Sequence, residues 1–441
     1  MTSGELLLIM RARKVSSMEG ITVWRERWDV RLSARAYLST LLVGGVLGLW
    51  AGYIWPAQPV FKGQSAAVLV PLFAFVIALG LWLRVRGRPR LRGWPLAFMT
   101  LLAIAWMANL ISYRIHGDAF TYGALLFIPV VLMVVYKPPS LTEGSSALIS
   151  LAWVITIVLV ATRALEMTGL LAVKDQPAGI ISFDEAYYWL PINDLLGIDG
   201  RWPGPFGHNG YTAMMGAFII VIAIAFWSRS SWAFLFVGAF TLLVTSGRAS
   251  AGAAAAGIIL FAMFTSRGWL GRRSPVLRLV VGSLALIGGI VLLFSGKSGL
   301  TGRQNIWPAF WDLWLTSPIT GVGTSGIAVS GGLTQEFGHA HSMYLDLLAR
   351  DGLIAFTLVM AALVVGLGIT VAAALLGQPG PLALLAAYLV TAVTEPRNDW
   401  LHPGVYVLMI TICVVAASQV IVRRPAELNR DESELVALGP Q

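Results

Sequence analysis

Long apolar stretches, separated by short polar ones, run along most of the chain. About twenty apolar residues cross the roughly 30 Å hydrocarbon core of a bilayer as a helix. Strands of a membrane barrel are about ten residues long and alternate in polarity, a pattern that these runs do not follow. We therefore predict an all-α polytopic membrane protein with about twelve transmembrane helices, near residues 37–56, 66–85, 94–113, 119–136, 145–163, 209–227, 231–246, 249–265, 277–295, 353–376, 381–394 and 403–422.

Two polar segments are much longer than the other connections. They span about residues 164–208 and 296–352, and both fall on the same predicted side of the membrane. The predicted membrane domain covers residues 37–422, between an N-terminal tail, 1–36, and a C-terminal tail, 423–441. The chemistry of a membrane enzyme needs polar groups, so these two segments are the first places to search for a site.

Composition supports a membrane location. Hydrophobic residues make up 57% of the chain and charged residues 12%, whereas soluble domains carry roughly 25% charged residues. The net charge of +9 does not require a nucleic-acid partner, because cytoplasmic loops of membrane proteins collect Lys and Arg. Most basic residues lie in the N-terminal tail, near 84–92, near 267–278 and after residue 422. This distribution predicts that both termini are cytoplasmic and that the two long polar segments are extracytoplasmic.

Two arginines stand out because the predicted outer side holds few basic residues. Arg248 ends the run TLLVTSGR and precedes a span of small residues, and Arg303 lies in a loop that also carries Trp307. An arginine at the membrane boundary can extend its head group to the surface without binding anything. Two guanidinium groups facing one pocket would instead suit a diphosphate, whose oxygens accept paired hydrogen bonds.

Two histidines, His339 and His341, follow in the same outer segment. In a regular helix over 340–351, Asp346 and Arg350 would form an i,i+4 pair, and His341 would lie on another face. Asp346 is then not expected to orient the His341 imidazole. Two interpretations stay open: a histidine at a helix start bonded to backbone, or a general base that accepts a proton from a substrate.

Neither a metal nor another cofactor is predicted. The outer segments contain no DxD or HxxxH motif and no His or Cys spacing typical of zinc. The first outer segment combines aromatic residues (Tyr187, Tyr188 and Trp189) with carboxylates (Asp184 and Glu185). This combination is typical of sugar binding, and equally of an aromatic belt at the membrane interface.

Several segments together resemble the O-antigen ligase/polymerase superfamily, which are polytopic bacterial glycosyltransferases of the GT-C type. The segments are RWPGPFGHNGYTAMMG at 201–216, TSGR at 245–248, LTGRQNIW at 300–307, SPITGVGTSG at 317–326 and HAHSMYLDLLARDGL at 339–353. The resemblance covers about residues 200–355. It implies a GT-C-like fold in the bacterial plasma membrane, with the active site on the extracytoplasmic face.

The resemblance also implies roles for individual residues. The family's two arginines fall on Arg248 and Arg303, and its histidine falls on His341, with Ser342 in place of the usual asparagine and His339 as a competing base. Family members transfer a glycan from a polyprenyl diphosphate carrier to a saccharide acceptor, without a metal. Expected substrate-binding residues are Arg201, Asn209, Trp307, Tyr344 and His339.

The resemblance does not separate a ligase from a polysaccharide polymerase. A ligase passes the glycan to a different acceptor, and a polymerase passes it to another carrier-linked unit. A transporter of lipid-linked sugars is the alternative from another class of protein. Transporters tend to carry charged or broken helices near the membrane midplane, whereas here the polar residues gather at one surface.

Overall fold

The chain was analysed as a computed structural model, which describes residues 91–116, 138–170, 202, 204–206, 209–245, 247–265, 280, 303–394, 407 and 409–422, and four positions between 39 and 46. These described parts are helical, with no β-strand among them, so the predicted all-α class is confirmed there. The predicted spans near 66–85 and 119–136 lie outside the described residues, as do nearly all of those near 37–56 and 277–295 and both tails.

The described residues form ten α-helices and one short 3₁₀ turn, Gly204–Phe206. A further helix, α11, covers Met409–Val422 and is apolar. Leu141–Met167 and Met343–Leu375 are each long and apolar enough to cross a membrane, and several others are apolar but shorter. The helices are α1 (Trp94–His116), α2 (Leu141–Met167), α3 (Asn209–Ala225), α4 (Ser231–Thr245), α5 (Arg248–Phe264), α6 (Arg303–Thr316), α7 (Gly323–Val329), α8 (Gly332–Phe337), α9 (Met343–Leu375) and α10 (Gly380–Thr394).

Helices α5, α9 and α10 pack against one another. The C-terminal part of α5, around Phe264, shares a small apolar core with Ala374 near the end of α9 and Leu382 near the start of α10. The start of α5 and the end of α10 therefore lie at the opposite end, and the start of α9 lies beside the second half of α10, where the Tyr388 hydroxyl bonds the sulfur of Met343. We call this opposite end the upper end of the bundle.

Small residues let these helices approach closely. A Cβ added at Gly257 of α5 would lie 2.8 Å from the backbone oxygen of Ala383 in α10. Gly216 of α3 and Gly238 of α4 meet in the same way, because a Cβ on Gly238 would lie 2.8 Å from the Gly216 oxygen. Close backbone contact of this kind is how apolar helices associate where lipid removes the hydrophobic drive between them.

Helix α9 is two helices joined at a break. Gly352 has φ 78° and ψ −179°, which no α-helix contains. The backbone groups that the break frees are bonded to the docked segment 318–322: the Leu353 N–H donates to the Pro318 oxygen at 2.9 Å, and the Val322 N–H donates to the Ala349 oxygen at 2.8 Å. The helix begins at Met343, before the predicted start of the apolar span at residue 353, and the break at Gly352 falls at that predicted start.

Gly352→Ala is expected to destabilise the fold. A side chain at φ 78° is strained, and a Cβ there would collide with the backbone oxygen of Ile319. Thermal unfolding of the detergent-purified protein should show a clear drop in Tm. The matched control is Gly368→Ala in the same helix, where no atom lies within 4 Å of the added Cβ and alanine favours the helix by up to about 1 kcal/mol. Equal Tm values for the two variants would contradict the docking of 318–322 at the break.

Candidate functional site

The second polar segment folds into a compact unit on the upper end. Helix α6 packs against α8 and the start of α9, and α7 packs against α8, α9 and α1. The centre of the unit is a small apolar core made of Ile306, Phe310, Ile327, Ala340 and Ala349. Ile306 belongs to the first turn of α6, so this core holds the start of α6 against the loop that carries the two histidines.

His341 lies in that loop in a strained conformation. Its φ is 49°, and among the described residues it alone combines a positive φ with a side chain. The half-buried imidazole contacts the ring of His339 edge to face, with 4.2 Å between ring centroids. Such left-handed residues cost roughly 1–3 kcal/mol and cluster at functional sites, where the surrounding structure holds them in place.

The expected helix over 340–351 is wrong at its beginning. The helix starts at Met343 after Ser342, whose backbone is extended, so the face assigned to His341 by helical spacing does not exist. A right-handed helix cannot include the left-handed backbone of His341. In addition, the N–H of Ala340 is taken by the Asp346 carboxylate, at 3.1 Å.

Asp346 and Arg350 bond the backbone of the loop that carries the two histidines. The fully buried Asp346 carboxylate accepts the Ala340 N–H and pairs with the Arg350 guanidinium at 3.5 Å. Arg350 also donates to the Gly338 oxygen at 3.2 Å and to the Thr324 hydroxyl at 3.1 Å. The i,i+4 pair expected from the sequence is confirmed. The sequence analysis did not predict that Asp346 accepts the N–H of Ala340, which lies between the two histidines.

Three predicted site residues are each the first residue of a helix: Asn209 opens α3, Arg248 opens α5 and Arg303 opens α6. The unpaired N–H groups and the dipole of a helix N-terminus favour anions. The starts of α3 and α5 are adjacent, because Gly247, just before α5, contacts Ala213 in α3. The structure therefore places the first residue of α5, Arg248, near the first turn of α3, which Asn209 opens.

Helix α10 connects the start of α5 with the histidine loop. The Tyr388 hydroxyl donates to the sulfur of Met343, the first residue of α9, at 3.2 Å. Counting from the contact between Gly257 and Ala383, the antiparallel helices put Arg248 about one turn above the level of Tyr388. The start of α5 and the start of α9 thus both lie beside the second half of α10.

The remaining predicted residues are placed in part. Trp307, in α6, and Tyr344, in the first turn of α9, are both half-buried, on the same unit as His339 and His341. Arg201 lies outside the described residues. Its neighbour Trp202 is buried, and its backbone N–H donates to the Val244 oxygen at the end of α4, at 3.1 Å.

Glu166 provides a second polar anchor at the upper end, which the sequence analysis did not identify. Its buried carboxylate accepts the indole N–H of Trp202 at 2.8 Å and the Arg163 guanidinium at 3.2 Å. Both residues lie in the last turns of α2, which was expected to end near residue 163 and continues to Met167. The anchor fixes the chain on its way into α3.

The described residues contain no group of three His, Cys, Asp or Glu side chains close enough together to hold a metal ion. The chemical groups that the described upper end does offer are an imidazole pair, a buried carboxylate and helix N-termini opened by arginines. These groups can bind an anion and move a proton.

Asp346→Asn is expected to loosen the histidine loop. It should lower the turnover number of a reaction in which His341 takes part more than it raises KM. The amide can still accept the Ala340 N–H, but it no longer carries the charge that pairs with Arg350, so the backbone around His341 is held less firmly. Misplacing a catalytic group by about 1 Å can cost on the order of 100-fold in rate. Steady-state kinetics test this, with Asp312→Asn on the exposed surface of α6 as the matched control. A rise in KM with an unchanged turnover number would contradict a role of Asp346 in positioning His341.

The described part of the chain is all-helical and rich in apolar helices, two of them long enough to cross a membrane, which is typical of an integral membrane protein. Residues 208–360 match the family model of the O-antigen ligases. The match supports the resemblance to the O-antigen ligase/polymerase superfamily that was seen in the sequence. It supports a glycosyltransferase role of the ligase or polymerase type. No curated protein matches the chain.

Proposed function

We propose that this protein transfers a glycan from a polyprenyl diphosphate carrier to a sugar hydroxyl of an acceptor, on the extracytoplasmic face of a bacterial plasma membrane. The observation that carries the proposal is the strained, half-buried His341 in a loop that packs, through Ala340, against the first turn of the helix that Arg303 opens. The family match over residues 208–360 independently supports transfer of this kind.

The proposed reaction is a single displacement that inverts the anomeric carbon. The acceptor oxygen bonds to that carbon while the bond from the carbon to the diphosphate oxygen breaks. The acceptor proton passes to the His341 imidazole, and the carrier leaves as a diphosphate anion. Because this leaving group is a stabilised anion, it needs no protonation, and one base is sufficient.

The arginines stabilise the charge that develops on the leaving diphosphate. Arg248 and Arg303 each supply a guanidinium group that can bond two phosphate oxygens, and the N–H groups of the helices that they open add to the positive potential. Groups fixed in place before the reaction lower the barrier because they need no reorganisation when charge builds up. With these cations in place, the proposed mechanism does not use a metal ion.

In this proposal, contacts within the loop orient the His341 imidazole. Asp346 accepts the Ala340 N–H and Arg350 donates to the Gly338 oxygen, and the edge-to-face contact with His339 limits rotation of the His341 ring. In this proposal, Asn209, Trp307, Tyr344 and Arg201 bind the substrates.

The direct test is reconstitution of the purified protein in liposomes with a carrier-linked oligosaccharide as the only sugar substrate. Growth of longer carrier-linked chains is expected from a polymerase. Transfer only after a second, lipid-linked acceptor is added is expected from a ligase. Movement of the carrier across the vesicle membrane with no new glycosidic bond would contradict the proposal and favour a transporter.

A further inference from the structure

The surface of helix α6 is divided into three faces. Ile306, Phe310 and Leu313 face the apolar core of the outer unit. On one side of this buried face lie aromatic and apolar side chains, of which Trp311 is 46% and Leu315 is 55% exposed. On the other side lie the exposed polar residues Asn305, Asp312 and Thr316.

This division follows from helical spacing. At about 100° per residue, Trp307, Trp311, Trp314 and Leu315 fall along one edge, where Trp314 also packs against the core. Asn305, Asp312 and Thr316 fall along the opposite edge. The Trp311 and Trp314 rings contact each other, with 4.7 Å between centroids. A helix with a tryptophan-rich edge and a polar edge is typical of a helix lying in the membrane interface.

The apolar edge of α6 continues onto the helix that enters the membrane. The Trp314 indole N–H donates to the Pro318 oxygen at 3.0 Å, and the adjacent Ile319 is 60% exposed. The backbone oxygens of Pro318 and Ile319 accept the N–H groups of Leu353 and Ile354. These two residues, which begin the apolar part of α9, are themselves about half exposed.

Exposed apolar side chains therefore follow one another from α6 to the apolar part of α9, a helix long enough to span a membrane. Leaving this surface in water would be unfavourable, because contiguous apolar patches favour burial.

We propose that α6 is an interfacial helix, with its Trp311–Leu315 edge inserted in the outer leaflet and its Asn305–Asp312 edge in water. The partner of this surface is the bilayer itself. One consequence rests on the proposed function: Arg303, the first residue of α6, is held at the depth of lipid head groups. A carrier diphosphate lies at this same depth, so it meets Arg303 without leaving the membrane.

The insertion is tested by site-directed spin labelling in liposomes of phosphatidylcholine and phosphatidylglycerol, without any substrate. Cys413 is the only cysteine and is buried, so Cys413→Ser provides the background for Leu315→Cys and the matched control Asp312→Cys. We expect the label at 315 to collide more with oxygen, which concentrates in lipid, than with a water-soluble nickel complex. The label at 312 should show the reverse. More collisions with nickel at both positions, or with oxygen at both, would overturn the proposal.

A second pair of variants tests the consequence for delivery of the donor. Leu315→Glu is expected to lower transfer from a long-chain donor in the bilayer on the order of tenfold or more, because a shift of about 1 Å at a reacting group is already costly. Transfer from a short-chain, water-soluble donor should be retained. Thr316→Glu, on the polar edge, should leave both rates unchanged.

The two experiments separate the two proposals. Equal effects of Leu315→Glu and Thr316→Glu on the bilayer donor would overturn the role of α6 in delivery. Lipid exposure at 315 without any transfer activity would retain the interfacial helix and reject the proposed enzyme function. Transfer activity with a water-exposed label at 315 would retain the enzyme and reject the interfacial helix.

Discussion

Replacing His341 with alanine is expected to lower the rate of glycan transfer by on the order of 10²–10⁴-fold, the range that general acid–base catalysis contributes. The acceptor hydroxyl is a weak nucleophile until its proton is removed, and the proposed base is this imidazole. Single-turnover transfer from a radiolabelled carrier-linked oligosaccharide measures the effect. Binding of the donor should change little, because the proton moves only in the chemical step.

Two further variants separate the loss of the base from damage to the loop. His341→Asn also removes the base, but asparagine tolerates the left-handed backbone found at this position. It should therefore keep the Tm of the unsubstituted protein and lose activity as the alanine variant does. His339→Ala removes only the ring that contacts His341 and should have a much smaller effect. A larger loss at His339 than at His341 would transfer the role of base to His339.

Replacing Arg303 with alanine is expected to lower the turnover number by on the order of 10²–10³-fold, as does the loss of one fixed group that stabilises transition-state charge. The diphosphate gains charge as the bond to the sugar breaks, so Arg303 binds the transition state more tightly than the bound donor. The loss should therefore appear mainly in kcat, with a smaller rise in KM. Steady-state kinetics over a range of donor concentrations distinguish the two parameters.

Arg303→Lys and Arg92→Ala complete this test. Lysine keeps the charge but not the paired hydrogen bonds of a guanidinium, so its activity should lie between those of the alanine variant and the unsubstituted protein. Arg92 is exposed just before α1, and Phe98 of α1 packs against Gly366, far along α9 from the histidine loop. Removing this arginine should not change transfer. Full activity of Arg303→Ala would reject the diphosphate role.

Part of this architecture follows from local sequence. Whether a segment is an apolar helix depends on the solubility of its own side chains in lipid, so the predicted spans near 209–227, 231–246 and 249–265 agree with α3, α4 and α5 to within about two residues. The pairing of Asp346 with Arg350 follows from helical spacing alone, because both residues lie on one face of one helix. The three-sided division of α6 is likewise contained in the order of its residues.

The arrangement of the candidate site required the tertiary structure. Hydropathy places a boundary at residue 353, but it does not show that segment 318–322 docks at the Gly352 break. Helical spacing excluded contact between Asp346 and the His341 ring, yet Asp346 bonds the Ala340 backbone because the helix begins later than expected. The anchoring of Trp202 by Glu166 joins residues 36 positions apart.

Apolar helices and their facing residues are determined within a few turns of chain, because burial in lipid and hydrogen bonding within a helix act on neighbouring residues. Three features depend instead on partners far away in sequence: the left-handed His341, the docking of segment 318–322, and the bond from Tyr388 of α10 to the start of α9. Contacts with those partners offset the local strain, and they form only after the helices have packed.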